Sequence, residues 1–154
     1  GRPLGAGDVL GLAEERLVRP GLAFPHRPLP EAFRVRLLPG PQFTEEAWEA
    51  LLSGPFRVVR ADRMGVELSG PEVPGGEGLS EATPLGGIQV PPSGRPLVLL
   101  ADKGSLGGYG KPAVVWPGDL GLLGQVWPGA EILFTNLSNR EYKHKIIPRI
   151  PWEP

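Results

Sequence analysis

Glycine and proline punctuate this chain so densely that little room remains for long regular elements: 23 glycines and 20 prolines stand among 154 residues. Glycine costs extra backbone entropy to order, and proline fixes φ and removes an N–H donor, so each interrupts a helix. Such a content without apolar residues would read as low complexity. With 40% hydrophobic and 21% charged residues it reads instead as one globular domain rich in turns. The apolar segments are accordingly short, bounded by Gly or Pro, and several alternate. Phe33-Arg34-Val35-Arg36-Leu37 places Phe33, Val35 and Leu37 on one face and two arginines on the other, as a half-buried antiparallel strand does. Residues 56–60, 66–68, 87–90, 97–101, 113–116 and 131–134 complete a set of seven expected strands. The continuously apolar run 97–101 is expected to be central, covered on both faces.

Helix signals are few. Residues 44–52 are expected to form one helix: Thr44 caps it, Glu45 and Glu46 suit its positive end, Ala47, Trp48, Leu51 and Leu52 form the apolar stripe, and Ser53-Gly54 ends it. A second short helix is expected over 119–126, capped by Asp119 and buried through Leu120, Leu122, Leu123 and Val126. Seven short strands with two short helices make the fold class mainly β, a barrel or a sandwich.

Composition excludes several chemistries. The absence of cysteine removes disulfides, thiolate metal sites and thiol nucleophiles, and two histidines, His26 and His144, cannot build a histidine-rich metal cluster. A formal charge of −1 gives no global field for nucleic acid or anionic lipid. No apolar run is long enough to span a bilayer, and no charged start leads into a signal-like segment, so the chain reads as cytoplasmic and free of the membrane.

Along the chain, residues 1–19 read as a mid-protein segment, with turn chemistry in its first ten residues followed by a strand. Residues 20–30, with prolines at 20, 25, 28 and 30, read as a rigid extended connector. The domain proper is expected over 31–134. Residues 135–154 read as a basic and apolar C-terminal arm, a surface arm laid over a neighbour more readily than a nucleic-acid contact.

Three segments carry polar residues beyond what folding needs. In the first, Arg60, Asp62 and Arg63 cluster at a strand end beside Gly65, and Arg63 can grip a carboxylate or phosphate through paired donors. An arginine–aspartate brace closing a turn fits the same residues. In the second, Gln89 stands alone in an apolar strand, where a buried amide must find either a ligand or a loop carbonyl. In the third, Asp102 leads into a stretch with Gly104, Gly107, Gly108 and Gly110, Lys103, Tyr109 and Lys111. The glycine amides there can form an anion-binding nest, and an ordinary glycine-rich hairpin fits equally.

Taken in order, Leu38-Pro39-Gly40-Pro41-Gln42, Ala61-Asp62-Arg63-Met64-Gly65, Leu79-Ser80-Glu81, Gly87-Ile88-Gln89-Val90-Pro91, Ala101-Asp102, and Gly107-Gly108-Tyr109 with Lys111 resemble the KipA family. That family is also called allophanate hydrolase subunit 2, the 5-oxoprolinase C subunit family or the biotin-dependent carboxyltransferase family. The resemblance covers about residues 1–134, in the C-terminal half of a family member. It implies a cyclophilin-like β-barrel and a KipI-like partner subunit, separate or fused, with a LamB/YcsF-like subunit as a further candidate. It implies three functional contexts: ATP-dependent opening of 5-oxoproline, carboxyl transfer from carboxybiotin, and non-catalytic antagonism of a KipI-type histidine-kinase inhibitor. The first uses ATP with magnesium; biotin enters only in the second.

Under the first context Arg63, Asp102 and Lys111 are the catalytic candidates, and Asp62, Gln89, Gly107, Gly108 and Tyr109 the substrate-binding ones. Arg63, Lys111 and the glycine amides suit a phosphoryl group, Gln89 a lactam, and Asp102 either Lys111 or magnesium. No resident metal site is expected. Family members often read Asp-Arg-Gln-Thr-Thr-Gly-Gly-Tyr-Pro-Lys where this chain has Lys103, Gly104 and Leu106 in place of Arg, Gln and the second Thr. A shared site requires Arg63, Gln89, Asp102 and Tyr109 to line one concave surface, with Lys111 at its edge and residues 24–29 packed outside.

Overall fold

The computed structural model describes residues 3–11, 30 and 32–137. Eight strands and two short helices follow in the order β1 (Ala32–Pro39), α1 (Glu45–Leu52), β2 (Phe56–Ala61), β3 (Gly65–Ser69), β4 (Glu77–Ala82), β5 (Gly87–Val90), β6 (Leu97–Leu99), β7 (Leu106–Val115), α2 (Leu120–Leu123) and β8 (Glu131–Asn136). The expected connector from residue 20, the packing of residues 24–29 and the arm beyond Leu137 lie outside the described residues.

β1 shows how the pattern becomes a barrel. Phe33, Val35 and Leu37 are 1% exposed or less, while Arg34 is exposed. β1 pairs in parallel with β8, Ala32 opposite Glu131, and in antiparallel with β7, Leu37 opposite Val115. Because β1 touches both β8 and β7, the order β1-β8-β2-β3-β6-β5-β7 closes on itself, and β4 is added outside the ring on β7. Closure leaves no ring strand with an open edge. The ring encloses Val35, Leu37, Phe56, Val58, Val66, Ile88, Val98, Ala113, Val115 and Ile132, all buried. Each such valine, leucine, isoleucine or phenylalanine contributes roughly 1.5–3 kcal/mol relative to exposure.

α1 forms as its sequence predicts. Thr44 is extended, and its hydroxyl accepts from the Ala47 amide at 3.2 Å. Ala47, Trp48 and Leu51 are buried, and Ser53 ends the helix. Thr44→Ala should lower stability by about 1 kcal/mol in urea denaturation; an unchanged midpoint would show that the cap contributes nothing.

Five expectations change. The turn near the start is present, with Gly7 at φ 92°, but the described residues that follow it, 8–11, form no strand, and Val9 is 93% exposed. β6 covers only Leu97–Leu99 of the expected 97–101 strand. The second helix is a 3₁₀ turn, Pro117–Asp119, running into the single turn of α2, because Asp119 does not cap it. Its carboxylate is instead taken by Arg36 of β1. An eighth strand, β4, is exposed along its whole length and carries no alternation that would have announced it. Finally, the glycine-rich stretch 106–111 is the first half of β7 rather than a loop. Two of its glycines, Gly107 and Gly108, are there because the neighbours come close: a Cβ on Gly108 would lie 2.9 Å from the Gly78 carbonyl oxygen of β4.

Candidate functional site

β7 carries Lys111 into the protein, where its side chain is 1% exposed. A buried ammonium is tolerated only with partners. Its Nζ lies 3.0 Å from Glu81 Oε1 of β4 and donates to the Tyr109 carbonyl at 3.1 Å. Gln42, between β1 and α1, ties the pair together. Its Nε2 donates to Glu81 Oε1, and its Oε1 accepts from the Lys111 backbone N–H at 3.0 Å. The hydrogen bond from Lys111, and next that from Gln42, holds the Glu81 carboxyl below the usual carboxylate range. A depressed folded-state pKa means that this contribution is present above the ordinary glutamate value and is lost as pH falls through the lowered one.

Gln89 lies behind the same ribbon. It is 7% exposed, and its Nε2 is the one buried side-chain polar atom without a partner among the described residues. A Cβ on Gly107 would overlap that nitrogen and lie 3.2 Å from Thr83 Cγ2, so Gly107 makes room for the amide. Glu81 sits opposite Gly107 in the β4–β7 register, and cross-strand partners share a face, so Glu81 and Gln89 meet the ribbon from the same side. A cleft of about 360 Å³ opens beside this centre, lined by Gln42, Glu77, Leu79, Glu81, Gly108 and Tyr109 among others.

A second cluster forms where the β2–β3 turn meets the connection from β6 to β7. Arg63 Nε and Nη2 donate to Asp102 Oδ2 and Oδ1 at 2.5 and 3.0 Å, a paired geometry on the surface, with side chains 81% and 48% exposed. The hydrogen bonds from Arg63 hold the Asp102 carboxyl low, and those to Asp102 push the Arg63 guanidinium up. Asp62 Oδ1 accepts from the Met64 and Gly65 amides at 2.8 and 3.1 Å and shapes the turn. Asp62 and Arg63 stand at a cleft of about 510 Å³ whose walls include Leu85, Leu100, Leu120 and Leu123. That volume and apolar lining match small-molecule sites in general.

The two clefts share no lining residue, so the single concave surface expected from sequence is replaced by two. The physical reason is the strand identity of 106–111, which carries Tyr109 along the β4 ribbon instead of looping it back toward Arg63. Lys111 is buried rather than at an edge, and its counter-ion is Glu81 rather than Asp102. The glycine amides of 107–108 sit in a ladder-forming strand instead of an open nest. Gln42 and Glu81 are functional candidates that sequence reasoning missed. Each ends one of the segments that carry the family resemblance, yet neither residue type announces chemistry until Lys111 is seen between them.

Arg63→Ala should leave the melting temperature nearly unchanged, because exposed ion pairs contribute little, while removing any ligand response of the first cleft. A large loss of stability would show that Arg63 is a turn brace. Without Arg63, the Asp102 carboxyl should titrate back toward its ordinary range, as carboxyl NMR would read.

The described residues thus form a closed, mainly β barrel, with a buried lysine paired to a half-exposed glutamate behind one cleft and an arginine at another. The carboxyltransferase domain, subdomain A and B, family matches residues 1–136, and the chain belongs to that family. It is 35% identical over 153 residues to the C subunit of Haemophilus influenzae 5-oxoprolinase, covering 92% of this chain and 47% of that protein. It is 80% identical to TTHA0988 in a crystal structure that it matches with a TM-score of 0.77, over 88% of this chain and 28% of the other. The Kluyveromyces lactis urea carboxylase structure matches at 26% identity and a TM-score of 0.66, over 74% of this chain and 12% of that one. The chain therefore spans less than half the length of these relatives. Among the described residues no helix is long and apolar enough to cross a membrane.

Proposed function

We propose that this chain is part of the C subunit of an ATP-dependent 5-oxoprolinase-like complex, acting on a cyclic amide together with a KipI-like subunit. The observation that carries the reading is the 35% identity, across 92% of the chain, to the C subunit of a 5-oxoprolinase. A lactam is a poor electrophile, and activating its oxygen before water attacks calls for fixed cations and donors more than for a protein nucleophile. This chain has such groups: Arg63 at the first cleft, Tyr109 lining the second, and Lys111 buried behind the second against Glu81. Gln89, with its uncommitted buried amide, is a donor or acceptor for an amide group.

For a nucleotide, the first cleft fits better than the glycine stretch. Its apolar walls and exposed guanidinium suit a base and a phosphate, whereas the 107–108 amides lie in β7. ATP bound there would supply the phosphoryl group that activates the amide oxygen; Arg63 would hold phosphate, and Asp102 would orient Arg63. Among the described residues no three carboxylate or histidine side chains gather around a metal, so magnesium would arrive with the nucleotide. The test is ATP hydrolysis dependent on 5-oxoproline by the reconstituted complex, LamB/YcsF-like subunit included. No stimulation with all partners present sinks the reading.

A second reading is favoured by the family assignment itself and by the likeness to urea carboxylase: a carboxyltransferase domain receiving carboxybiotin. It requires a biotin carrier outside this chain. A streptavidin blot of the native complex that shows no biotinylated partner would count against it.

A further inference from the structure

Among the described residues Lys111 is the one buried cation. An ammonium has three N–H donors. Two of Lys111's are committed to Glu81 and the Tyr109 carbonyl, and the third has no protein partner among the described residues. A lysine side chain otherwise has many rotamers, and a buried ammonium without a counter-ion swings toward water. What holds this one comes from outside the barrel core. Glu81 belongs to the exposed strand β4, and Gln42 to the exposed connection after β1. Neither residue is needed for apolar packing, yet Gln42 uses both ends of its amide on this single centre, one on Glu81 and one on the Lys111 backbone. Both also line the second cleft.

We propose that Gln42 and Glu81 are positioning residues for Lys111, fixing its ammonium behind the second cleft so that the remaining N–H serves an oxygen atom of the ligand. The proposal rests on the reading of the chain as part of an enzyme acting on a cyclic amide. It adds two residues to that site and gives Lys111 the role of a fixed cation rather than of a nucleophile. The competing role for the same bonds is a brace that merely fastens β4 to the barrel.

The experiment uses the full-length protein with its partner subunits, as wild type, Glu81→Gln, Glu81→Asp and Gln42→Ala. Two quantities are read on the same samples: the rate at which N-hydroxysuccinimidyl acetate acylates Lys111, by mass spectrometry, and kcat and KM for 5-oxoproline-dependent ATP hydrolysis. Glu81→Gln should raise Lys111 acylation by about tenfold or more, as the side chain is released. It should lower kcat by roughly ten- to a hundredfold, the scale of a misplaced catalytic group, with KM little changed. Glu81→Asp should recover part of both. Gln42→Ala, at an exposed position where folding is safe, should move both in the same direction by less.

Unchanged Lys111 acylation in Glu81→Gln and Gln42→Ala would overturn the proposal. So would raised acylation with kcat unaltered, the result for a brace. An inactive wild-type complex would remove the functional reading, a separate outcome; the acylation rates would still decide whether Gln42 and Glu81 hold Lys111.

Discussion

Replacing Asp119 by alanine should lower the stability of the domain by about 3 kcal/mol, at the lower end of what breaking a buried ion pair costs. The Asp119 side chain is 6% exposed. Its Oδ2 accepts from the Arg36 backbone N–H and Nε at 2.9 and 2.8 Å, and its Oδ1 accepts from Nη2 at 2.6 Å. Arg36 is itself only 21% exposed along its side chain, so the substitution takes two hydrogen bonds from a guanidinium that water reaches poorly. For a domain of this size the melting temperature should fall by roughly 10 °C. Adding Arg36→Met should restore much of the loss, since removing both partners of a buried pair is far milder than removing one. A single variant melting within a degree or two of wild type would show that solvent already screens the pair. The effect reaches the first cleft as well, because Asp119 leads directly into α2, whose Leu120 and Leu123 wall it.

Gly40→Ala should be similarly damaging, by about 3 kcal/mol, the upper range of overpacking penalties. A Cβ there would lie 2.7 Å from the Ala113 nitrogen and 2.8 Å from the Pro112 carbonyl carbon. Both are backbone atoms of β7 that cannot turn aside as a side chain would. The clash falls on the seam that closes the barrel, where Pro39 is opposite Ala113 and the Gly40 amide donates to the Pro112 carbonyl at 2.8 Å. The same seam presents Gln42 to Lys111, so ligand response should fail even in molecules that still fold. Gly110→Ala is the control: it meets nothing within 4 Å and needs no positive φ, so its urea midpoint should hold or rise slightly. Equal losses in the two variants would refute the close-approach account.

How far the sequence reveals this structure depends on whether a residue's role is local. The alternation in Phe33-Arg34-Val35-Arg36-Leu37 and the Thr44 cap are local, and they appear as a strand with one buried face and a capped helix. β4 is not local. Glu77-Gly78-Leu79-Ser80-Glu81-Ala82 buries neither face, so it has no apolar period, and it is a strand only because β7 offers it a partner. The glycines at 107 and 108 mark close approach of Gln89 and Gly78, a reason invisible without the neighbours. For the site, the motifs are legible as a set, but their grouping is not. Arg63 meets Asp102 and Lys111 meets Glu81 through contacts 39 and 30 positions apart along the chain, and no spacing rule chooses those pairings over others.

The parallel pairing of β1 with β8 has a kinetic consequence. Ala32 and Glu131 face each other although about a hundred residues separate them, and contacts of that span are slow to form because a long loop must close first. During synthesis β1 emerges early with its apolar face ready and its neighbour not yet made. Until residues 131–136 leave the ribosome the ring cannot shut; of the apolar face only Leu37 has a second strand partner, Val115 of β7, while Phe33 and Val35 wait for Ile132 and Phe134 of β8. Refolding should therefore show its slowest phase at the β1–β8 junction, and that junction is where a nascent chain is most exposed to capture by chaperones or to mispairing.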